Sequence, residues 1–166
     1  MIVFGIDPGV SGAISVFENK KIINFFDMPT QIEGTKNKKR QVNAIQLTYE
    51  IKSRIANIEK SAAIVEMVNA MPNQGVTSMF NFGQSYGVIK GIFLALEIPT
   101  FFVRPAKWKK YFDLLGTEKD ASRVKAIEMF PDLSVQLAKK KDSNKSDAIL
   151  IGKYFVDHFT EDNFHG

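Results

Sequence analysis

Ile2-Val3-Phe4-Gly5-Ile6, then Asp7-Pro8-Gly9, then Ala13-Ile14-Ser15-Val16-Phe17, then Glu18-Asn19-Lys20-Lys21, then Ile22-Ile23-Asn24-Phe25-Phe26: so the chain begins. The first run is a short apolar segment cut off by a turn-forming tripeptide, the pattern of a buried strand and its end. A second apolar run, a polar turn and a third run follow, which together predict an antiparallel meander. Residues 28–41 are polar and basic and read as a loop.

Beyond that loop, Leu47, Ile51, Ile55 and Ile58 recur at helical spacing and predict an amphipathic helix. Ala62-Ala63-Ile64-Val65 is a fourth strand that runs into Glu66. The loop Met71-Pro72-Asn73-Gln74-Gly75 leads to a long helix over about 77–96. Thr100 to Val103 is a fifth strand, stopped by Pro105, and the remainder is helical, including segments near 119–129 and 145–159. A meander that continues into parallel strands is the plan of the ribonuclease-H-like fold. The expected class is therefore α/β, a five-stranded mixed sheet flanked by helices. No repeat or low-complexity linker interrupts it, so residues 1–166 read as a single domain.

Gly83, Gly87 and Gly91 fall every fourth residue along the long helix. Glycine in a helix costs ~1 kcal/mol relative to alanine, so three on one face call for a close approach. Packing against the chain's own sheet is slightly favoured, and a dimer interface is the other reading.

Composition narrows the chemistry. With 45% hydrophobic and 24% charged residues the chain is an ordinary globular one. Its net charge is +4, and two dense clusters hold much of the excess: Lys36, Lys38, Lys39 and Arg40, then Lys139, Lys140, Lys141 and Lys145. Clustered cations suit a phosphate backbone, although for either cluster alone a solvated lysine loop is the favoured reading. There are no cysteines, and only His158 and His165, both near the C-terminus. Thiolate chemistry is excluded and a histidine-built metal site is disfavoured, which points to hard cations on carboxylates. No apolar run approaches the ~20 residues of a membrane span, and no charged leader precedes the first strand. A soluble, cytoplasmic protein without membrane contact is expected, in a bacterial or phage-infected cell.

Four acids stand out by position: Asp7 at the end of the first strand, Glu66 at the end of the fourth, and Asp142 and Asp147 at the entry to the last helix. If the first and fourth strands are neighbours, Asp7 and Glu66 meet at one sheet edge, within reach of a helix carrying Asp147. Converging carboxylates without histidine suit two Mg²⁺ ions ~3.5–4 Å apart, which activate water and stabilise a leaving oxygen. Each acid has a duller reading. Asp7 is also a turn former, Asn144 is also an N-cap with Asp147 favoured by the helix dipole, and Asp142 is also a loop acid among lysines. Only Glu66, an acid after Ile-Val at a strand end, has no obvious structural purpose.

Gly5-Ile6-Asp7-Pro8-Gly9 with Ser11-Gly12 resembles the opening motif of RuvC-type resolvases. Glu66 followed by Pro72-Asn73-x-Gly75 and Gly83-Gln84-x-x-Gly87 resembles their second motif. Asp27-Met28-Pro29-Thr30, Arg104-Pro105 through Trp108-Lys109, Lys119-Asp120-x-Ser122-Arg123 and Phe130-Pro131 are similar to phage RuvC-like enzymes and the plant chloroplast resolvase. The resemblance spans residues 1 to about 155, and its weight lies in the joint order of the motifs.

This resemblance implies a Mg²⁺-dependent endonuclease, with Mn²⁺ as a substitute, that cuts four-way DNA junctions as a homodimer. Asp7, Glu66, Asp142 and Asp147 match the family's metal-binding carboxylates. Lys119 matches a lysine that assists the chemistry by activating the nucleophile or stabilising phosphate charge. Bacterial resolvases carry Asp-x-x-Asp, or a histidine variant, before the last helix, where this chain has Asn144 at the first position. The pair Asp142/Asp147 fits the chloroplast and phage branch instead. Bacterial enzymes also insert an aromatic near Asn69, whereas here Met71, Phe80 or Phe82 is the candidate wedge at unstacked bases. Phe80 and Phe82 read equally well as core.

The candidates for holding DNA arms are Lys36, Lys38, Lys39, Arg40, Met71, Asn73, Lys107, Lys109, Lys110, Arg123 and Lys145. Three other readings compete. A nuclease for single strands, forks, flaps or RNA would share the acids, and a non-catalytic junction binder would be expected to lack one. An actin-like ATPase would need a second Asp-x-Gly hairpin, which does not occur.

Overall fold

The computed structural model describes residues 1–35, 38–69 and 75–159. Its main sheet has the order β3-β2-β1-β6-β7, from β1 (Ile2–Asp7), β2 (Ala13–Glu18), β3 (Lys21–Asp27), β6 (Ser61–Glu66) and β7 (Thr100–Val103). The three meander strands pair antiparallel, and β6 and β7 join β1 in parallel. This is the five-stranded mixed sheet expected from the strand order.

Alternation along the strands sorts the sheet's two faces, because successive side chains point to opposite sides. Phe4, Ile6, Ala63 and Val65 pack with Leu47 and Ile51 of α1 (Ala44–Lys52) and Ile89 and Phe93 of α2 (Val76–Ala95). Val3, Ala62 and Ile64 lie on the other face. There they meet Trp108 of α3 (Pro105–Tyr111), Ala126 of α4 (Ala121–Met129) and Ile149 of α5 (Ser143–His158). Asp7 and Glu66 continue this second set in period two. The strand pattern therefore aims both acids towards the α3/α5 side.

Helix α5 crosses β1 at very short range. A Cβ built on Gly5 would stand 2.5 Å from the Ala148 carbonyl oxygen and 2.5 Å from the Gly152 nitrogen. The buried Ser15 hydroxyl donates to the same Ala148 carbonyl at 2.7 Å. Only a residue without a side chain fits beneath the helix at this crossing.

Three expectations are corrected. The stretch 28–41 is not simply a loop: β4 (Thr30–Glu33) and β5 (Lys39–Val42) pair antiparallel as a separate ribbon. Much of this ribbon is exposed, so it shows no apolar alternation to betray it. Helix α1 stops at Lys52, short of Ile55 and Ile58. The Ser53 hydroxyl donates back to the Glu50 carbonyl, and Asn57 caps a separate 3₁₀ turn at Ile58–Lys60. The glycine stripe does not pack on the chain's own sheet. Helix α2 buries Ser85, Ile89 and Phe93, and each glycine sits two residues earlier, about 200° around the axis. A Cβ at Gly83, Gly87 or Gly91 would meet nothing within 4 Å.

Candidate active site

Asp7 is the last residue of β1, followed by Pro8 and by Gly9 at φ +111°. That conformation strongly favours glycine. It turns the chain so that the Gly12 N–H donates to the Gly9 carbonyl at 3.0 Å. In the parallel pairing, Ile6 lies beside Val65, so the next pair in register is Asp7 and Glu66. Asp147 stands one turn inside α5, on the helix that rides over Gly5. Residues 7, 66 and 147 are thus gathered by register and by a helix crossing.

The three carboxylates feel one another. Burial pushes the Asp7 carboxyl well above the ordinary aspartate range, and the negative charges of Asp147 and Glu66 push it further. Burial also raises Glu66, with Asp147 adding to the effect and the Trp108 indole working against it. Asp147 is raised by burial and partly offset by the Ser122 hydroxyl. Two cations answer this charge: Lys109 acts on all three acids, and Lys119 on Asp7 and Asp147. Trp108 donates to Oε1 of Glu66 at 2.8 Å.

Among the described residues, no three acidic or histidine groups stand close enough to grip one ion as placed. Like charges in a shared site resist full ionisation, in keeping with the raised carboxyls of Asp7 and Glu66. The donor set nonetheless fits a hard divalent ion. It is all oxygen and largely desolvated, and Oδ1 of Asp147 is buried with no hydrogen-bond partner. A buried acceptor without a partner is costly, and a cation would satisfy it.

Not every predicted residue joins this cluster. Asp142 is buried at the mouth of α5, where it accepts from the Lys139 N–H at 3.0 Å and from Lys145 Nζ at 3.2 Å. Burial pushes its carboxyl up, but these contacts together outweigh it and hold the group below the ordinary range. Five residues along a helix is about 140° of rotation, so Asp142 faces away from Asp147. Asn144, one turn before Asp147 on the same side, donates to the Ser11 carbonyl instead. Lys145 is held between Asp142 and Asp27, and Arg123 by Asp120 at 2.7 Å and the Leu137 carbonyl at 3.1 Å. Both are occupied within the chain rather than free for phosphate.

Lys38, Lys39, Lys107, Lys110 and Lys119 are exposed. Arg40 is exposed too, and its guanidinium reaches the Ser11 hydroxyl at 2.6 Å, tying the β4/β5 ribbon to the loop after Asp7. Phe80 stands exposed on α2, whereas Phe82 lies over Gly9. Lys36, Met71 and Asn73 lie outside the described residues. Sequence reading placed Lys109 among DNA contacts and gave Trp108 no role. The signal for Trp108 was the chain's lone tryptophan on an otherwise basic segment, whose N–H needs a partner when buried.

The raised carboxyls have a testable consequence. A folded chain that holds a proton the unfolded chain releases loses stability as pH rises, from the ordinary carboxylate pKa up to the raised one. In metal-free solution Asp7→Asn should therefore raise Tm near neutral pH, with the gain shrinking towards about pH 4. Each 1 kcal/mol relieved corresponds to roughly 2–4 °C for a chain of this size. Calorimetry of both proteins across pH checks this, and a gain that grows on acidification would refute it.

No protein-family model matches the chain, and no curated protein matches it in sequence. Solved structures do match it in three dimensions. RuvC from Thermus thermophilus, in complex with a Holliday junction substrate, superposes with a TM-score of 0.54 at 13% identity, over 95% of this chain and 96% of that one. The fold is RuvC-like. A second Thermus thermophilus RuvC structure covers the same shares at 14% identity and a TM-score of 0.48. In this RuvC-like fold the acids occupy the edge where β1 and β6 end, and α5 supplies the third from above. Among the described residues no helix is long and apolar enough to cross a membrane.

Proposed function

We propose that the chain is a Mg²⁺-dependent DNA endonuclease that resolves four-way junctions by paired symmetric nicks. The observation that carries this reading is the gathering of Asp7, Glu66 and Asp147, with Lys109 and Lys119 beside them, at one edge of a RuvC-like sheet. Asp7, which feels the charge of both other acids, would hold both ions, with Glu66 and Asp147 completing the sites and Asp142 outside them. When bound there, two Mg²⁺ ions, or Mn²⁺ in their place, supply Lewis acidity for phosphodiester hydrolysis to 5′-phosphate and 3′-hydroxyl ends.

The chain's own residues prepare the rest. Lys109 and Lys119 set positive charge where a scissile phosphate would approach. Lys38, Lys39, Arg40, Lys107 and Lys110 offer exposed charge for the phosphates of the arms. The ribbon bearing Arg40 is linked through Ser11 to the loop of Asp7, so its cations sit near the site. Support for branched DNA comes from the fold likeness to a RuvC solved on a Holliday junction.

A four-way junction is two-fold symmetric, and paired nicks suit a two-fold dimer. The proposed interface is the open face of α2, where Val76, Phe80 and Leu94 are 86%, 71% and 58% exposed around the bare glycines. Gly87→Leu should turn a dimer into a monomer in sedimentation while leaving the fold intact, since a side chain there meets nothing in the chain itself. A native chain that sediments as a monomer would remove this part of the proposal.

Cleavage of four-way junction, Y-fork, single-stranded and linear duplex DNA, with Mg²⁺ or with EDTA, tests the function. Symmetric nicks in the junction alone, lost in EDTA, are expected. Better cutting of Y-forks or single strands would keep the nuclease and sink the resolvase. Binding without cutting would leave a junction-binding module.

A further inference from the structure

The chain has one tryptophan, and it is fully buried on α3 with its indole N–H on Glu66. We propose that Trp108 is a positioning residue for Glu66, its N–H holding one carboxylate oxygen so that the other is presented to a divalent cation. This rests on the reading above that Glu66 is a metal ligand.

The local build explains how a helix residue comes to serve a strand end. Strand β7 pairs with β6 so that Val103 lies beside Glu66. Helix α3 starts two residues later, with Pro105 in its first turn. Its early residues are thereby delivered next to the Glu66 side chain. The ring of Trp108 packs in the cluster of Val103, Phe112 and Ile149. Phenylalanine would fill much of that apolar space. What phenylalanine lacks is the N–H, and the partner this N–H has found is a carboxylate.

That choice has consequences for Glu66. A glutamate at a strand end has three rotatable bonds, and fixing them on binding an ion costs conformational entropy. An N–H donor to an ionised oxygen is a strong, directional bond, and 2.8 Å is a normal length for it. The bond fixes the rotamer beforehand and leaves Oε2 as the free donor. Lys109, the next residue, keeps its ammonium 5.3 Å from the Trp108 ring centroid and also acts on Glu66. One turn of α3 thus supplies both an orienting donor and a counter-charge to the same acid. Partners that orient a metal's ligands typically change its affinity by roughly 10–100-fold when removed.

A single tryptophan makes the test direct, because the ¹H–¹⁵N spectrum holds one indole cross-peak. In the native chain that peak should move on adding Mg²⁺, and in Glu66→Gln it should not. Trp108→Phe should stay folded and bind Mn²⁺ roughly 10–100-fold more weakly by titration calorimetry. Native Mn²⁺ affinity in folded Trp108→Phe, or an indole peak blind to Mg²⁺ in a chain that binds Mn²⁺, would reduce Trp108 to a core residue. If Trp108→Phe does not fold, the indole peak of the native chain decides alone. A native chain that binds no Mn²⁺ at all would overturn the metal-dependent reading itself, and this inference with it.

Discussion

Glu66→Gln is expected to lower the rate of junction cleavage by ~10³-fold or more, equivalent to about 4 kcal/mol of transition-state stabilisation. The substitution keeps the size of the side chain and an oxygen within reach of the Trp108 indole. What it removes is the negative charge of a group set among Asp7, Asp147, Lys109 and Trp108. A hard divalent ion depends on that charge, so the loss falls on the chemistry rather than the fold. Burial already works against the Glu66 charge, and the neutral amide of the variant should leave Tm unchanged or slightly raised. Single-turnover cleavage with excess enzyme, paired with a melting curve, separates the two effects. Cleavage within about threefold of native would show that the cluster is not where the phosphodiester is cut.

The second large effect is on stability. Gly5→Ala would force a methyl group to within 2.5 Å of two backbone atoms of α5 and of the Ser15 hydroxyl. Backbone cannot swing aside as a flexible side chain does, so the helix must lift off the sheet. Overpacking of this kind costs about 3 kcal/mol at the upper end of its usual range, or a Tm lower by roughly 6–12 °C. The lifted segment carries Asp147 immediately before Ala148, so the folded fraction should also cleave more slowly at low temperature. A Tm within about 2 °C of native would mean that α5 does not depend on this crossing.

What could be read from residues alone follows a physical line. The meander, β6 and β7 were legible because each is a short apolar run bounded by turn residues, and burial selects such runs. The acids at positions 7 and 66 were legible for the same reason: each ends a buried strand with a charge. Asp142 illustrates the limit. Spacing placed it near Asp147 in the chain, but rotation about α5 turns it towards Lys139 and Lys145. Helix phase near an N-terminus depends on where the helix starts, and α5 starts at Ser143, so Asp142 rather than Asn144 is its N-cap. The pairing of Trp108 with Glu66 joins residues 42 apart and leaves no periodic trace. The β4/β5 ribbon was hidden because strands with little to bury carry no apolar alternation.

The cluster is also spread along the whole chain, from Asp7 through Glu66, Lys109 and Lys119 to Asp147. During synthesis the N-terminal strands leave the ribosome first, and with them two of the three carboxylates. The third emerges only with α5, the helix that covers one face of that sheet and closes its core. Completion of the core and completion of the charge cluster are thus the same late event in the life of each molecule. A truncated product that ends before α5 lacks both together.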